Sequence, residues 1–484
     1  MVYFLSLLPI LIIIILSLTK GVKPAVIIGF AITSALFFYW EASFSHFLGS
    51  LGVAFLTTVN ILMIVFGALF LYNIMQGTGL ISQISHSLDN LHPSKEIRFF
   101  LLAICLTAFF EGVAGFGTPG AIVPLLLIAM GFNAVLSVSV VLLFDGLFAI
   151  FGAVGTPIIT GLQLPLDLTH AQVQQIGFTA AVIGVIVQFF ILFAIFRMFA
   201  QMQNPLQHKG KILLLFTFFA FPFCLFAWLV PDLATVLAAL VMLILSIFYL
   251  KGAEGQINLR PWLPYGILAI LLLLPKLFNP LNRWIGWDLA FSDMFASGLN
   301  ASIRPLQSPL IPFVIVGIGV ALYKKSKSFY LVKSSVKLWN VFIVLFPSVA
   351  VAQLMINSGV HQPSMVNNIA DLLSNLGSSG YTLLSPLLGI IGAFITGSTT
   401  ISNVVFGPSQ LETARLLNLD PNILLALQLN GAGIGNAICL FNIIAAASIA
   451  NLKNYKEVLA RNMAPALLAG LIAGFLGWCI IQIL

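Results

Sequence analysis

TAFFEGVAGFGTPGAIVPLLLIAMGFNAVLSVSVVLLFDGLFAIFGAVGTPI, residues 107–158, is the stretch whose reading decides the fold. It lies in an apolar region, yet it carries Glu111, Asp145, a glycine cluster (Gly112, Gly115, Gly117, Gly120) and the prolines Pro119 and Pro124. A lipid-facing helix would hold no carboxylate, because an ionised one costs several kcal/mol near the bilayer centre. Glycine and proline this dense also interrupt the helical hydrogen-bond ladder. Broken backbone at membrane depth persists only where protein or a watery cavity covers it. The stretch therefore reads as half of a transport site.

The remainder of the chain fits that setting. Of 484 residues, 60% are hydrophobic and 7% charged, against about 25% charged in a soluble domain. Mean hydropathy is +1.10. These values describe an all-α polytopic membrane protein with no soluble domain of useful size. The formal charge of +7 lies in short loops, where it reports topology and not nucleic acid binding. Cys105, Cys224, Cys439 and Cys479 all fall in apolar runs, which argues against a disulfide framework or a metal cluster. The histidines stand in loops or near span ends, away from carboxylate or cysteine clusters. No phosphate loop, dinucleotide fingerprint, Ser–His pair or pair of membrane aspartates is present, so neither an enzyme nor a bound cofactor is expected.

The opening run MVYFLSLLPILIIIILSLTKGVKP has no basic residue before its apolar core, and Lys20 and Lys23 follow it. That asymmetry predicts a retained helix entering from outside. A crossing helix needs about 20 apolar residues. On that criterion, spans are expected over 4–19, 22–40, 50–75, 133–160, 172–198, 211–230, 233–250, 262–279, 307–323, 338–357, 421–450 and 462–484. Regions 97–128 and 380–415 are too interrupted for simple spans.

Basic residues collect at Lys20/Lys23, Lys95/Arg98, Arg197/Lys209/Lys211, Lys251/Arg260, Lys324 to Lys337 and Lys453/Lys456/Arg461. If 97–128 and 380–415 are re-entrant hairpins, every cluster falls in the cytoplasm and both termini lie outside, as the positive-inside rule demands. The 280–306 segment, where Arg283 and Arg304 balance Asp288 and Asp293, is then an outside loop. The expected architecture is about 12 transmembrane helices plus two opposed re-entrant hairpins in an inverted repeat. Residues 1–200 form one half, 201–261 a two-helix connector and 262–484 the other half. Glu111-Gly112 and Thr396-Gly397 stand 285 residues apart, as do Asp145-Gly146 and Asn430-Gly431.

The two hairpin tips carry the candidate substrate groups. Gly115, Gly117, Thr118 and Pro119 give close backbone approach and a fresh helix start in the first. Ser398, Thr399, Thr400, Ser402 and Asn403 supply hydroxyls and an amide in the second. Freed N–H groups at a helix N-terminus suit a small anion. The bland alternative is that these small and hydroxylated residues only pack helices together. Asn430 and Asn436, set among Gly431, Gly433 and Gly435, join the candidate binding residues. Glu111 and Asp145 are the candidates for proton or cation coupling, since a carboxyl group in apolar surroundings is relieved by taking up a proton. Arg415, three residues after Glu412, reads as an exposed helix-surface pair outside the site.

The run 111–119, EGVAGFGTP, followed by Gly131-Phe132, closely resembles the signature of the bacterial L-lactate permease family, which includes glycolate permeases. The runs GAVGTPI (152–158) and GSTTISNVVFGPSQLETA (397–414) resemble it as well. The resemblance implies an inner-membrane symporter importing lactate, glycolate or a related 2-hydroxymonocarboxylate with protons. It also marks a divergent member. That family usually has asparagine where Asp145 stands, an acid at Thr399, and a lysine with an S-P-Q-S run where this chain has Asn436-Ala437-Ile438-Cys439. The expected partners are a small carboxylate, the coupling H⁺ and the lipid bilayer. Na⁺ coupling is the first alternative, because Thr, Asn and freed carbonyls suit it too, and a passive anion channel is the second.

Overall fold

A computed structural model describes residues 2–86, 92–115, 117–250, 260–277, 280, 286–303, 305–306, 308–326, 331–452 and 454–483. Phe116 at the first tip, and Lys251, Arg283, Arg304, Lys327 and Lys453 among the expected loop charges, lie outside the described residues.

The chain runs through α1 (Val2–Lys20), α2 (Val22–Tyr39), α3 (Phe44–Gly77), α4 (Leu80–His86), α5 (Lys95–Leu101) and α6 (Thr107–Val113). It continues with α7 (Thr118–Ala129), α8 (Ala134–Phe148), α9 (Gly152–Ile158), α10 (His170–Met202), α11 (Lys209–Leu229) and α12 (Ala234–Leu250). After α13 (Leu263–Leu277) and a small β-hairpin come α14 (Leu310–Tyr323), α15 (Leu331–Asn357) and α16 (Met365–Ser374). The last five are α17 (Gly377–Thr396), α18 (Thr399–Leu416), α19 (Pro421–Asn436), α20 (Leu440–Ile449) and α21 (Tyr455–Ile483).

Eight helical stretches among the described residues are long and apolar enough to cross a bilayer, and this is an all-α polytopic membrane protein. Enclosure separates them. In Ala134–Leu166, 94% of the apolar window is buried inside the protein, against 33% in Tyr455–Ile483. The stretch read first in the sequence is thus the centre of the molecule, with α10, α19 and α21 packed around α8.

Local chemistry sets the boundaries. The span expected over 50–75 begins earlier, at Phe44, because the Ser43 side chain caps α3 by accepting from His46 N at 3.2 Å. Asn133 caps α8, accepting from Val135 N at 2.9 Å and Leu136 N at 3.2 Å. Asp420 caps α19 through Asn422 N at 2.8 Å.

Two expectations are refined. Residues 380–415 break at Gly397-Ser398, but the arm before that break, α17 (Gly377–Thr396), is one continuous apolar helix of 20 residues despite Pro386. Proline cannot donate to the carbonyl four residues back; here the Ser385 hydroxyl donates to that carbonyl, Thr382 O, at 3.2 Å. The same substitution of hydroxyl for amide recurs at Pro157, where Thr156 Oγ1 donates to Ala153 O at 2.7 Å. Second, the 280–306 loop is not wholly irregular. It forms an antiparallel hairpin, β1 (Leu289–Phe291) with β2 (Ala301–Ile303), tied to α3 by Asn60 Nδ2 donating to Ser302 O at 3.0 Å.

Candidate functional site

Helices α5 and α6 are joined by a π-turn, Leu102–Leu106, and lead to the first tip. Gly115 and Gly117 adopt left-handed backbone (φ 54° and 75°), which turns the chain into α7 at Thr118 with Pro119 in its first turn. A β-carbon on Gly115 would lie 2.8 Å from Ala153 Cβ, so the tip sits directly on the broken helix α8–α9. One turn before the tip, the Glu111 carboxyl fills the space where Gly152 lacks a side chain.

That broken helix is the scaffold. A 3₁₀ turn, Ala149–Phe151, ends α8. Ala153, Val154 and Gly155 then take left-handed backbone at φ 44°, 54° and 72°. For a β-branched residue such as Val154 this conformation is strained, at about 1–3 kcal/mol. Neighbours hold it: Gly155 is pressed against the main chain of Asp232, and Thr235 Oγ1 donates to the freed Phe148 carbonyl at 3.0 Å.

At the second tip, Gly397 (φ 70°) ends α17, and Ser398 caps α18, its hydroxyl accepting from Ile401 N at 3.2 Å. Thr399 and Thr400 open α18 and are buried. The Thr400 carbonyl lies 3.2 Å from where a β-carbon on Gly161 would stand, on the π-turn that follows α9.

Two buried polar clusters result. The first contains Glu111 and Asp145, 5% and 2% exposed, whose carboxyl groups neighbour one another. No N–H or O–H group of the described residues reaches Glu111 Oε2 or Asp145 Oδ1. Asp145 Oδ2 accepts from Asn436 Nδ2 at 2.9 Å, and Asn442 donates to Asn436 Oδ1. The second cluster is amide-rich. Ser402 Oγ donates to Gly389 O at 2.9 Å and accepts from Gln428 Nε2 at 3.2 Å. Gln428 Nε2 also reaches Asn403 Oδ1 at 3.3 Å, and its Oε1 accepts from Gln410 Nε2 at 3.1 Å. Tyr381 donates its hydroxyl to Gln410.

The broken helix joins the clusters. Gly152 meets Glu111 at one end, while five residues on, Pro157 O accepts from Asn403 Nδ2 at 3.1 Å. The structure therefore brings Glu111, Asp145 and Asn436 together, and Ser402 with Asn403. Both groups share one backbone element. Gly115 borders the first cluster through Ala153; Gly117 stands in open space at the tip and Thr118 is half-buried beside it. Asn430 belongs to neither cluster. Its amide donates to Ala180 O and to Ala426 O, both at 3.0 Å, fastening α19 to α10. Arg415 pairs with Glu412 at 3.3 Å with its side chain 62% exposed.

Sequence reading did not single out Gln410, Gln428, Tyr381 or Asn442. For the two glutamines the signal was available, since an amide in a buried apolar helix needs a partner.

The L-lactate permease family profile matches residues 3–260 and 305–484. A relative in Haemophilus influenzae is 27% identical over 453 residues, covering 85% of each chain. The Bacillus subtilis L-lactate permease is 24% identical over 458 residues, covering 82% of this chain and 80% of its own. The Streptococcus iniae L-lactate permease is 26% identical over 384 residues, covering 75% of this chain and 79% of its own. The chain belongs to the L-lactate permease family.

Proposed function

We propose that this protein is a secondary carrier that imports L-lactate, glycolate or a related 2-hydroxymonocarboxylate across the bacterial inner membrane by proton symport. Family membership supports the substrate class. The observation that carries the coupling ion is the buried contact between Glu111 and Asp145. A carboxylate only accepts hydrogen bonds, so two of them bond each other when a proton lies between them. A proton taken up here and a carboxylate taken up nearby together make a neutral cargo, which lowers the cost of moving either through low dielectric.

The carboxylate of the substrate would bind at the tips. Helices α7 and α18 both start there, presenting free N–H groups and the positive end of a helix dipole. Gly117 and Thr118 face it from one side, and Thr399, Thr400, Ser402 and Asn403 line the other. The membrane topology that fits is 12 crossings with two opposed hairpins and both termini outside, the halves 1–200 and 262–484 being joined by 201–261. Helix α7 supports it: its 12 residues rise about 18 Å, short of the roughly 30 Å hydrocarbon core. The two halves would then rock about α8 and α19. Nothing in this cycle makes or breaks a covalent bond in the substrate.

The test is uptake of radiolabelled L-lactate into proteoliposomes of purified protein under separate proton and Na⁺ gradients. Accumulation driven by the proton gradient alone is expected. Accumulation that needs inward Na⁺ would replace the proton by Na⁺, and non-saturating flux with no accumulation would mean a channel.

A further inference from the structure

Asn442 sits on α20, beyond the break at 437–439. Its amide nitrogen donates to Asn436 twice, to Oδ1 and to the main-chain carbonyl, the latter at 3.3 Å. The second bond satisfies a carbonyl left free where α19 ends. The first fixes which way the Asn436 side chain faces. With its oxygen held by Asn442, Asn436 turns its N–H towards Asp145 Oδ2, at 2.9 Å. A chain of donors thus runs one way, from Asn442 to Asn436 to Asp145, and ends on the carboxyl pair.

Direction matters at that pair. Asp145 receives a donor from the chain, whereas no N–H or O–H group of the described residues reaches Glu111 Oε2. Of two carboxyls sharing a proton, the one already accepting an N–H bond is better suited to hold the negative charge. The other keeps the proton. Both asparagines are buried, Asn436 at 7% and Asn442 at 8% exposure, so water does not readily substitute for either.

We propose that Asn442 is a positioning residue for proton coupling: through Asn436 it keeps Asp145 as the acceptor of the carboxyl pair, seats the proton on Glu111, and links its presence to the geometry of the α19–α20 break. The proposal rests on the proton-symport reading above. When Glu111 releases its proton, Asp145 needs its N–H donor more, and the chain carries that demand to the break in the opposite half. Without Asn442, Asn436 is free to rotate and the proton has no assigned seat. Substrate can still exchange, but the gradient no longer drives accumulation.

The experiment compares proton-driven L-lactate accumulation with lactate–lactate exchange in proteoliposomes of full-length protein. In Asn442→Leu the ratio of driven uptake to exchange is expected to fall at least five-fold, with exchange kept within two-fold. In Asn442→Ser, whose hydroxyl can still donate to Asn436, the ratio should return to within two-fold of wild type. If the leucine protein is not recovered from membranes, Asn442→Ala carries the same expectation. Exchange and driven uptake falling together, or serine performing no better than leucine or alanine, overturns the relay while leaving proton symport standing. Wild-type protein that shows exchange but no proton-driven uptake overturns both.

Discussion

Gly146 on α8 and Gly433 on α19 face each other at the centre of the molecule, and a β-carbon on either would run into the main-chain carbonyl of the other. The contact is unequal. From Gly146 the added carbon would lie 3.3 Å from Gly433 O, while from Gly433 it would overlap Gly146 O outright. Gly433→Ala is therefore expected to destabilise by about 1–3 kcal/mol, the usual range for overpacking, and Gly146→Ala by less. Apparent melting temperatures in detergent read this directly, and equal shifts would mean that the helices separate easily.

Glu111→Gln should abolish proton-driven accumulation, with at least a ten-fold loss, while sparing lactate exchange. A glutamine amide donates permanently to Asp145 and so imitates the protonated carboxyl without being able to release its proton. Equal pH dependence of uptake in the variant and the wild type would remove Glu111 from coupling.

Gly152→Ala should have a similar effect without replacing an ionisable group. Its methyl would overlap Glu111 Oε1 and push the carboxyl away from Asp145. Driven uptake is expected to fall at least five-fold, and Gly152→Ala combined with Glu111→Gln should lose no more than a further two-fold, because both act on one contact.

Gln428→Leu and Asn430→Ala separate substrate binding from packing. The first strips a donor from Ser402 and Asn403 and an acceptor from Gln410. It should raise the KM for lactate at least five-fold as well as lower stability. Asn430 spends its amide on α10 and on its own helix, so its replacement should lower the melting temperature and leave KM within two-fold. A large KM effect at position 430 would return that residue to the site.

Much of this arrangement is legible from residue chemistry along the chain. Gly115, Gly117 and Gly397 mark turns that only left-handed backbone can make, and the glycines and proline of 152–157 mark the break in the central helix. The continuity of α17 was not legible, because it depends on Ser385 supplying the bond that Pro386 cannot. The equal spacing of Asp145 and Asn430 suggested matching places in two helices, yet spacing fixes only height along a helix. The neighbour on each side differs: Asp145 meets Glu111, whereas Asn430 lies against α10, with its oxygen 2.9 Å from where a β-carbon on Gly184 would stand. The amide cluster joins residues 381, 403, 410 and 428 with a carbonyl at 157, a meeting that no local pattern encodes.

The left-handed turn at Ala153, Val154 and Gly155 carries a mechanical consequence. It lies between the carbonyl that Asn403 holds and the glycine that Glu111 fills, so it works as a short, stiff linkage rod between two distant bearings. Flexible chain there would let each cluster fluctuate alone, and under the proposed symport an ion could then cross without its cargo. Strained backbone persists only while the surrounding contacts over-determine it, so a shift at either end loads the contacts at the other.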